Sequence, residues 1–318
     1  MSVRPKRFDT EVHGILLLDK RGGVSSNRAL QEVRALFRAL SGGHTGSLDP
    51  LATGLLPLCF GEATKFAGHL LESDKRYQVV AQLGSRTDTA DRDGTVIEEK
   101  PVPAFDEALL ERALRRFRGS MEQIPPMHSA LKRDGVPLYK IARRGETVER
   151  APRRVTIHGF TLVARDAERL TLEVHCSKGT YVRSLVEDLA AALGTVGHVA
   201  ELRRSMVGPF GPDGLVTLEQ LQALFDKSAA DPAALHATLL PMDAGLMGWP
   251  EVRLGSDAAS FVGHGNPVQL PPGQAVGTVR IYGPRGFLGL GERDPAGVLT
   301  PKRLIRNDFF LVAAQRGH

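Results

Sequence analysis

Cysteine is scarce. The chain has two, Cys59 and Cys176, each among apolar neighbours, with no C-x-x-C pair and no Cys/His ligand spacing. That argues against a disulfide framework or a zinc site and fits free thiols in a reducing compartment. Long hydrophobic runs are missing as well: those at residues 15–18 and 55–58 are short, far below the roughly 20 residues of a membrane helix. The basic N-terminus leads into no secretory h-region. No G-x-x-x-x-G-K-[ST] loop, internal repeat or low-complexity tract occurs. A cytoplasmic protein with no membrane association is expected.

What is present suits a folded protein of two domains: 318 residues, 42% of them hydrophobic. Lys and Arg number 41 against 36 Asp and Glu, and the pI is near 9.3, a mild bias toward a polyanionic partner. The excess is local. Residues 132–154 hold Lys132, Arg133, Lys140, Arg143, Arg144, Arg150, Arg153 and Arg154 against Asp134, Glu146 and Glu149, an excess equal to the net charge of the whole chain, +5. Taken alone, the segment reads equally well as a solvated face.

Residues 14–18 predict a strand. A Gly/Ser turn and a helix over 27–40 follow, with Leu30, Val33, Leu36, Phe37 and Leu40 at helical spacing and Ser26 as cap. Residues 77–83 alternate as a half-buried strand, and Asp93-Gly94 offers a turn into another from Thr95. A helix begins at Asp106, with Phe105 and Leu110 at staple spacing, and Gly119 stops it. Residues 155–163 and 169–176 predict a hairpin, and a helix over 184–193 is closed by Gly194. Thr217 and Gln220 make a capping box for a helix to about Phe225. Pro-containing sequence then runs to Trp249-Pro250, where a domain boundary is placed. Short β-like runs at 275–282, 287–290 and 309–313 predict a small β-barrel.

The densest punctuation is His44-Thr-Gly-Ser-Leu-Asp49-Pro-Leu-Ala-Thr-Gly54, which sets one carboxylate in apolar surroundings. An isolated Asp-Pro is more often a local turn. A phosphoaspartate enzyme would need a second acid where Leu51 stands, and a glycosidase would need a partner carboxylate that the local sequence does not supply. Asp91-x-Asp93-Gly94 copies part of a calcium loop, but Thr89 and Lys100 occupy its first and last ligand positions.

The Gly46-Ser-Leu-Asp-Pro-Leu-Ala-Thr-Gly54 run with His44 resembles the catalytic motif of the bacterial tRNA pseudouridine-55 synthases, the TruB family. Further segments fall in family order: Leu18-Asp-Lys20 with Gly23 and Ser25-Ser26, Lys75-Arg-Tyr77, the run from Arg86 to Gly94, and Ile124-Pro-Pro-Met-His-Ser-Ala-Leu-Lys132. Gly135, Tyr139, Ala142-Arg143 and Gly179-Thr-Tyr-Val-Arg183 complete the set, over residues 14 to about 205. The family commonly has proline where Arg21 stands, which puts the local turn in doubt.

The resemblance implies an α+β fold: a mixed, mostly antiparallel sheet with flanking helices over residues 1–248, and a PUA-like β-barrel over 249–318. It implies isomerisation of the T-loop uridine of tRNA without cofactor or metal, by a monomer with no obligate protein partner. Asp49 would be the nucleophile, attacking either base or sugar. Tyr77 would stack on the base and is a candidate for taking the C5 proton, and Arg183 would keep Asp49 ionised. Tyr181 and Leu202 would line the pocket, and Lys20 would contact pocket or backbone. His44 would take the place of the flipped nucleotide, and the insertion over 124–152 would grip the T arm through phosphates. Two rivals stay open: a guide-dependent relative, and an RNA-folding chaperone in which catalysis is secondary.

Overall fold

The computed structural model describes residues 8–227, 233–271, 273 and 275–306. Strand β1 (Gly14–Lys20), helix α1 (Ser26–Leu36), β2 (Gly42–His44) and β3 (Thr53–Phe60) open the chain. A 3-10 helix (Gly61–Phe66), α2 (Ala67–Glu72), β4 (Lys75–Leu83), β5 (Ser85–Thr87), β6 (Val96–Glu99), α3 (Glu107–Phe117) and β7 (Gly119–Gln123) follow. Then come β8 (Lys132–Arg133), β9 (Val136–Pro137), α4 (Leu138–Ala142), β10 (Arg153–Asp166), β11 (Arg169–Cys176), α5 (Val182–Ala192) and β12 (Gly197–Val207). Helices α6 (Leu218–Lys227) and α7 (Ala233–His236) lead to β13 (Glu251–Arg253), α8 (Ser256–Gly263), β14 (Val268–Gln269), β15 (Gly277–Gly283), β16 (Gly286–Arg293) and β17 (Val298–Leu304).

The main sheet has eight strands in the order β1-β3-β12-β4-β11-β10-β7, with β2 beside β3. Every neighbouring pair is antiparallel except β12 with β3, so the sheet is mixed and mostly antiparallel, as expected. Both faces of its β1–β3 end are covered. Leu16, Leu18, Leu56 and Leu58 join the core made with α1, α3 and α5, while Ile15, Leu17, Leu55 and Cys59 face a second core with Leu70, Val207 and Phe210. Two buried faces explain why these short runs are continuously apolar. On β11 only one side is deeply buried, and Leu170, Leu172, Val174 and Cys176 alternate with half-buried polar neighbours.

The C-terminal strands form a separate five-stranded sheet, β13-β15-β16-β17-β14, around Val252, Val262, Val279, Ile281, Leu288 and Leu299, a PUA-like architecture. Phe66, Leu246, Leu290 and Ile305 pack at the junction with the first sheet. Polar ties reinforce it: Lys65 Nζ donates to the Leu304 carbonyl at 3.0 Å, and the Arg306 amide donates to Glu62 Oε2 at 2.7 Å.

Several local expectations shift. Helix α1 is capped by Ser25, whose hydroxyl accepts from the Arg28 amide, and it stops at Leu36 because Arg38 turns left-handed at φ 50°. Ser26 is buried and has another task, described below. Helix α5 starts two residues earlier than predicted, which places Arg183 in its first turn. The capping box of α6 forms in both directions, Thr217 amide to Gln220 Oε1 at 2.8 Å and Gln220 amide to Thr217 Oγ1 at 3.2 Å. The β-like run over 309–313 lies outside the described residues.

Candidate active site

The Asp49 loop links β2 to β3 across the edge of the main sheet and is tied down at every turn. Leu48, Leu51 and Ala52 are buried on either side of the carboxylate, so the apolar residues of the motif act as plugs that leave Asp49 and Pro50 facing out. Ser26 Oγ accepts from the Leu48 amide at 2.7 Å and donates to the Leu48 carbonyl at 3.1 Å, saturating that peptide. Lys20, fully buried, donates to the carbonyls of Arg21, Val24 and Pro50 at 2.9, 2.7 and 3.3 Å. Gly54 needs its positive φ of 96°, and a Cβ there would lie 2.3 Å from the Arg204 carbonyl.

Arg183 meets Asp49 with a two-pronged contact, Nε to Oδ2 at 2.9 Å and Nη2 to Oδ1 at 3.1 Å. Arg183 as a whole is 3% exposed. Its other donors go to the carbonyls of Thr89 at 2.8 Å and His128 at 2.7 Å. A cation in the first turn of a helix opposes the helix dipole, so these partners must offset both that and desolvation. On its far side stands Asp91, buried, with Oδ2 3.9 Å from Arg183 Nη1. Asp91 is itself held by the Thr89 hydroxyl at 2.6 Å and the Asp93 amide at 3.2 Å. Asp49 keeps 36% of its side chain accessible. Surrounding protein raises its carboxyl above the usual value, while Arg183 pulls it down.

Tyr77 on β4 lies directly opposite Arg204 on β12, and Leu202, two residues earlier, lies opposite Val79. Tyr77 is half-buried and its hydroxyl is pushed up by burial, with the Arg204 charge opposing. Tyr181 caps α5, clamped by the side-chain amide of buried Gln123, which donates to its carbonyl at 3.0 Å and accepts from its amide at 2.8 Å. His44 ends β2, half-buried. Its Nδ1 is buried and has no hydrogen-bond partner, and burial together with Arg204 lowers its pKa. Burial also lowers Lys20, to about 8.

The product is a single placed carboxylate, ion-paired and still partly exposed. Such a group can act as a nucleophile. Residues 34–182 match the TruB family pseudouridylate synthase (N terminal domain), residues 183–247 the tRNA pseudouridylate synthase B C-terminal domain, and residues 250–305 the pseudouridine synthase II TruB, C-terminal. The tRNA pseudouridine synthase B of Stutzerimonas stutzeri (strain A1501) is 53% identical over 304 residues, covering 95% of this chain and 99% of that one. The chain belongs to the TruB family of pseudouridylate synthases.

The tRNA pseudouridine synthase B of Cronobacter sakazakii (strain ATCC BAA-894) is 47% identical over 308 residues, covering 95% and 98%. Likeness of fold reaches further: a chain of the crystal structure of a Cbf5-Nop10-Gar1 complex superposes with a TM-score of 0.72 at 24% identity, covering 94% of this chain and 87% of that one. Of the residues singled out in the sequence, Arg183 contacts Asp49 directly and Lys20, Tyr77 and Tyr181 lie near enough to feel its charge, while His44 ends β2 and Leu202 sits on β12. Sequence reasoning missed Asp91, Gln123, Ser26 as loop anchor, and Arg204. Asp91 stands among Asp88 and Asp93 in one short acidic run, and nothing local marks which of the three turns inward. Among the described residues no group of three or more His, Cys, Asp or Glu side chains is placed to hold a metal ion, and no helix is long and apolar enough to cross a membrane.

Proposed function

We propose that this pseudouridylate synthase isomerises the uridine at position 55 in the T loop of tRNA, with Asp49 as nucleophile. The observation that carries the reading is the paired contact of Arg183 with the partly exposed carboxylate of Asp49. The reaction breaks the N-glycosidic bond, turns the base and forms the bond from C5 to the sugar. The C5 proton leaves and one is taken up at nitrogen, so no redox carrier is consumed. Attack by Asp49 on sugar or base requires the ionised carboxylate, which Arg183 favours.

Tyr77 and Tyr181 hold the base between apolar surfaces closed by Leu202. The neutral imidazole of His44, with an unpartnered buried nitrogen, suits insertion into the stack that the flipped uridine leaves. Lys20 serves the loop more than the substrate, since its ammonium is spent on three carbonyls. The T arm is gripped by the segment over 124–152 and its margin. Seven of the eight basic side chains between residues 132 and 154 are exposed, and none forms an ion pair with an acid among the described residues, which leaves them for phosphates. We assign catalysis to residues 1–248 and auxiliary RNA binding to 249–318. The enzyme works as a cytoplasmic monomer without cofactor or obligate partner protein.

Unmodified T-arm RNA carrying tritium at uridine C5 is the test. Release of tritium to water by the purified chain alone, lost in Asp49→Asn, is the expected result. Wild-type-like release from Asp49→Asn would overturn the assignment, and tight RNA binding with no release would favour the chaperone reading.

A further inference from the structure

Arg204 is the largest of the fully buried side chains, at 1% exposure, and among the described residues no carboxylate lies within ion-pair reach of it. A buried charge without an opposite charge is costly and persists only where several oriented dipoles hold it. Here they are two backbone carbonyls. Nε donates to Leu55 in β3 at 2.8 Å and Nη2 donates to Gly46 in the loop ahead of Asp49 at 3.1 Å, while Tyr77 stands directly across the ladder from Arg204.

These partners belong to three separate segments. Gly46 precedes Asp49 by three residues in the loop between His44 and the nucleophile, and Leu55 lies in the buried run of β3 just behind the loop. Tyr77 stands across the ladder on β4. Between β12 and β3 the backbone adds little, because their parallel pairing has only two registered partners, Arg203 with Thr53 and Arg204 with Gly54. The guanidinium extends that tie with two further bonds, and its planar fork fixes directions as well as distances.

We infer that Arg204 is a positioning residue for the isomerisation, one side chain that sets the Asp49 loop and the Tyr77 ring at a fixed separation. It touches neither Asp49 nor the open side of the cleft. It acts on the nucleophile through the Gly46 carbonyl and on the base-stacking ring as its cross-strand neighbour. The inference rests on the assignment of Asp49 and Tyr77 made above. Ångström-scale misplacement of reacting groups costs on the order of 100-fold in rate, and that is the scale of loss expected when the clamp is removed.

The test uses the full chain with Arg204→Lys and Arg204→Met, labelled with 3-fluorotyrosine. The four tyrosines give resolvable fluorine resonances, and Tyr77→Phe identifies the one that matters. Both variants are expected to move the Tyr77 resonance in the RNA-free protein. They are also expected to lower kcat for tritium release by on the order of 100-fold, with KM changed less than about threefold, and Arg204→Lys, which keeps the charge, should lose less. Folded variants that leave the Tyr77 resonance and kcat unchanged, even with a lower melting temperature, would overturn the inference and make Arg204 a structural clamp alone. Should Arg204→Met fail to fold, Arg204→Lys decides by the same two readouts. If wild-type protein itself releases no tritium, the functional reading fails, and the fluorine comparison alone decides whether Arg204 positions Tyr77.

Discussion

Arg183 serves two carboxylates and two carbonyls with one guanidinium, a geometry in which lysine is no substitute. A lysine would bring one charge and no fork. Arg183→Lys is therefore expected to lower kcat for tritium release by on the order of 100-fold while RNA affinity, measured by filter binding, stays within a few-fold. A near-normal kcat would show that the charge alone suffices. Lys20 gives a different signal, because burial holds it near 8 against an ordinary 10.5. Between those values the unfolded chain binds the proton that the folded chain does not, so stability rises with pH, and below 8 the cost of burying the ammonium is fully felt. The unfolding free energy of wild type relative to Lys20→Met should grow by on the order of 1–3 kcal/mol from pH 8 to 10.5. A flat difference in denaturant titrations would show that the three carbonyls hold the ammonium charged throughout. Asp49, Tyr77 and Arg183 were legible because each sits in a short, distinctive run. Asp91 and Gln123 were not, because their roles depend on which way a loop or edge strand turns once the sheet has formed.

At the scale of elements, the β2–β3 loop depends on helix α1 as much as on its own residues. Ser26 bonds both polar groups of the Leu48 peptide from inside the core. Ser26→Ala would leave a buried donor and acceptor unmade, a cost of about 1–3 kcal/mol. Ser25→Ala, which removes only an exposed cap, should cost about 1 kcal/mol. The sharper distinction is in activity: Ser26→Ala should lower kcat and Ser25→Ala should not, and equal kcat values in the two proteins would refute this role of Ser26. The sequence reading took Ser26 for the cap, whereas its neighbour Ser25 fills that place. Periodicity also ran the helix on to Leu40, since Phe37 and Leu40 keep the spacing although the backbone has turned at Arg38. Alternation in β4 and β11 was readable because these strands bury one face. The weak signals of the C-terminal strands reflect a small core, with Pro301 inside β17 and glycines at close backbone approaches such as Gly289.

For the whole molecule, the junction between the two sheets is a second polar cluster. Buried Arg280 donates to the Trp249 carbonyl at 3.1 Å and faces Asp243 at 3.7 Å, and Asp243 also accepts from the Tyr282 hydroxyl. Removing one partner from such a cluster leaves a charge uncompensated, at about 3–5 kcal/mol. Trp249 is the chain's one tryptophan, packed edge-on against His69 of α2 with ring centroids 4.6 Å apart. Its fluorescence therefore reports the junction. In Arg280→Met the fluorescence transition should fall below the far-UV circular dichroism transition in a denaturant series, and coincident transitions would mean that the two sheets unfold as one unit. A boundary at Trp249-Pro250 was inferred from composition, whereas the cluster that bridges it draws on residues on both sides and has no local pattern.

The sheet order also carries a consequence for synthesis. β12 lies between β3 and β4, so the strand that completes the centre of the main sheet is the last of that sheet to leave the ribosome. Until residue 207 has emerged, Asp49, Tyr77 and most of the basic segment exist on a nascent chain whose first hairpin and later strands have nothing between them. Non-local closure of this kind is slow and comes late. A half-made chain can therefore expose positive charge to RNA, but it cannot assemble the cleft.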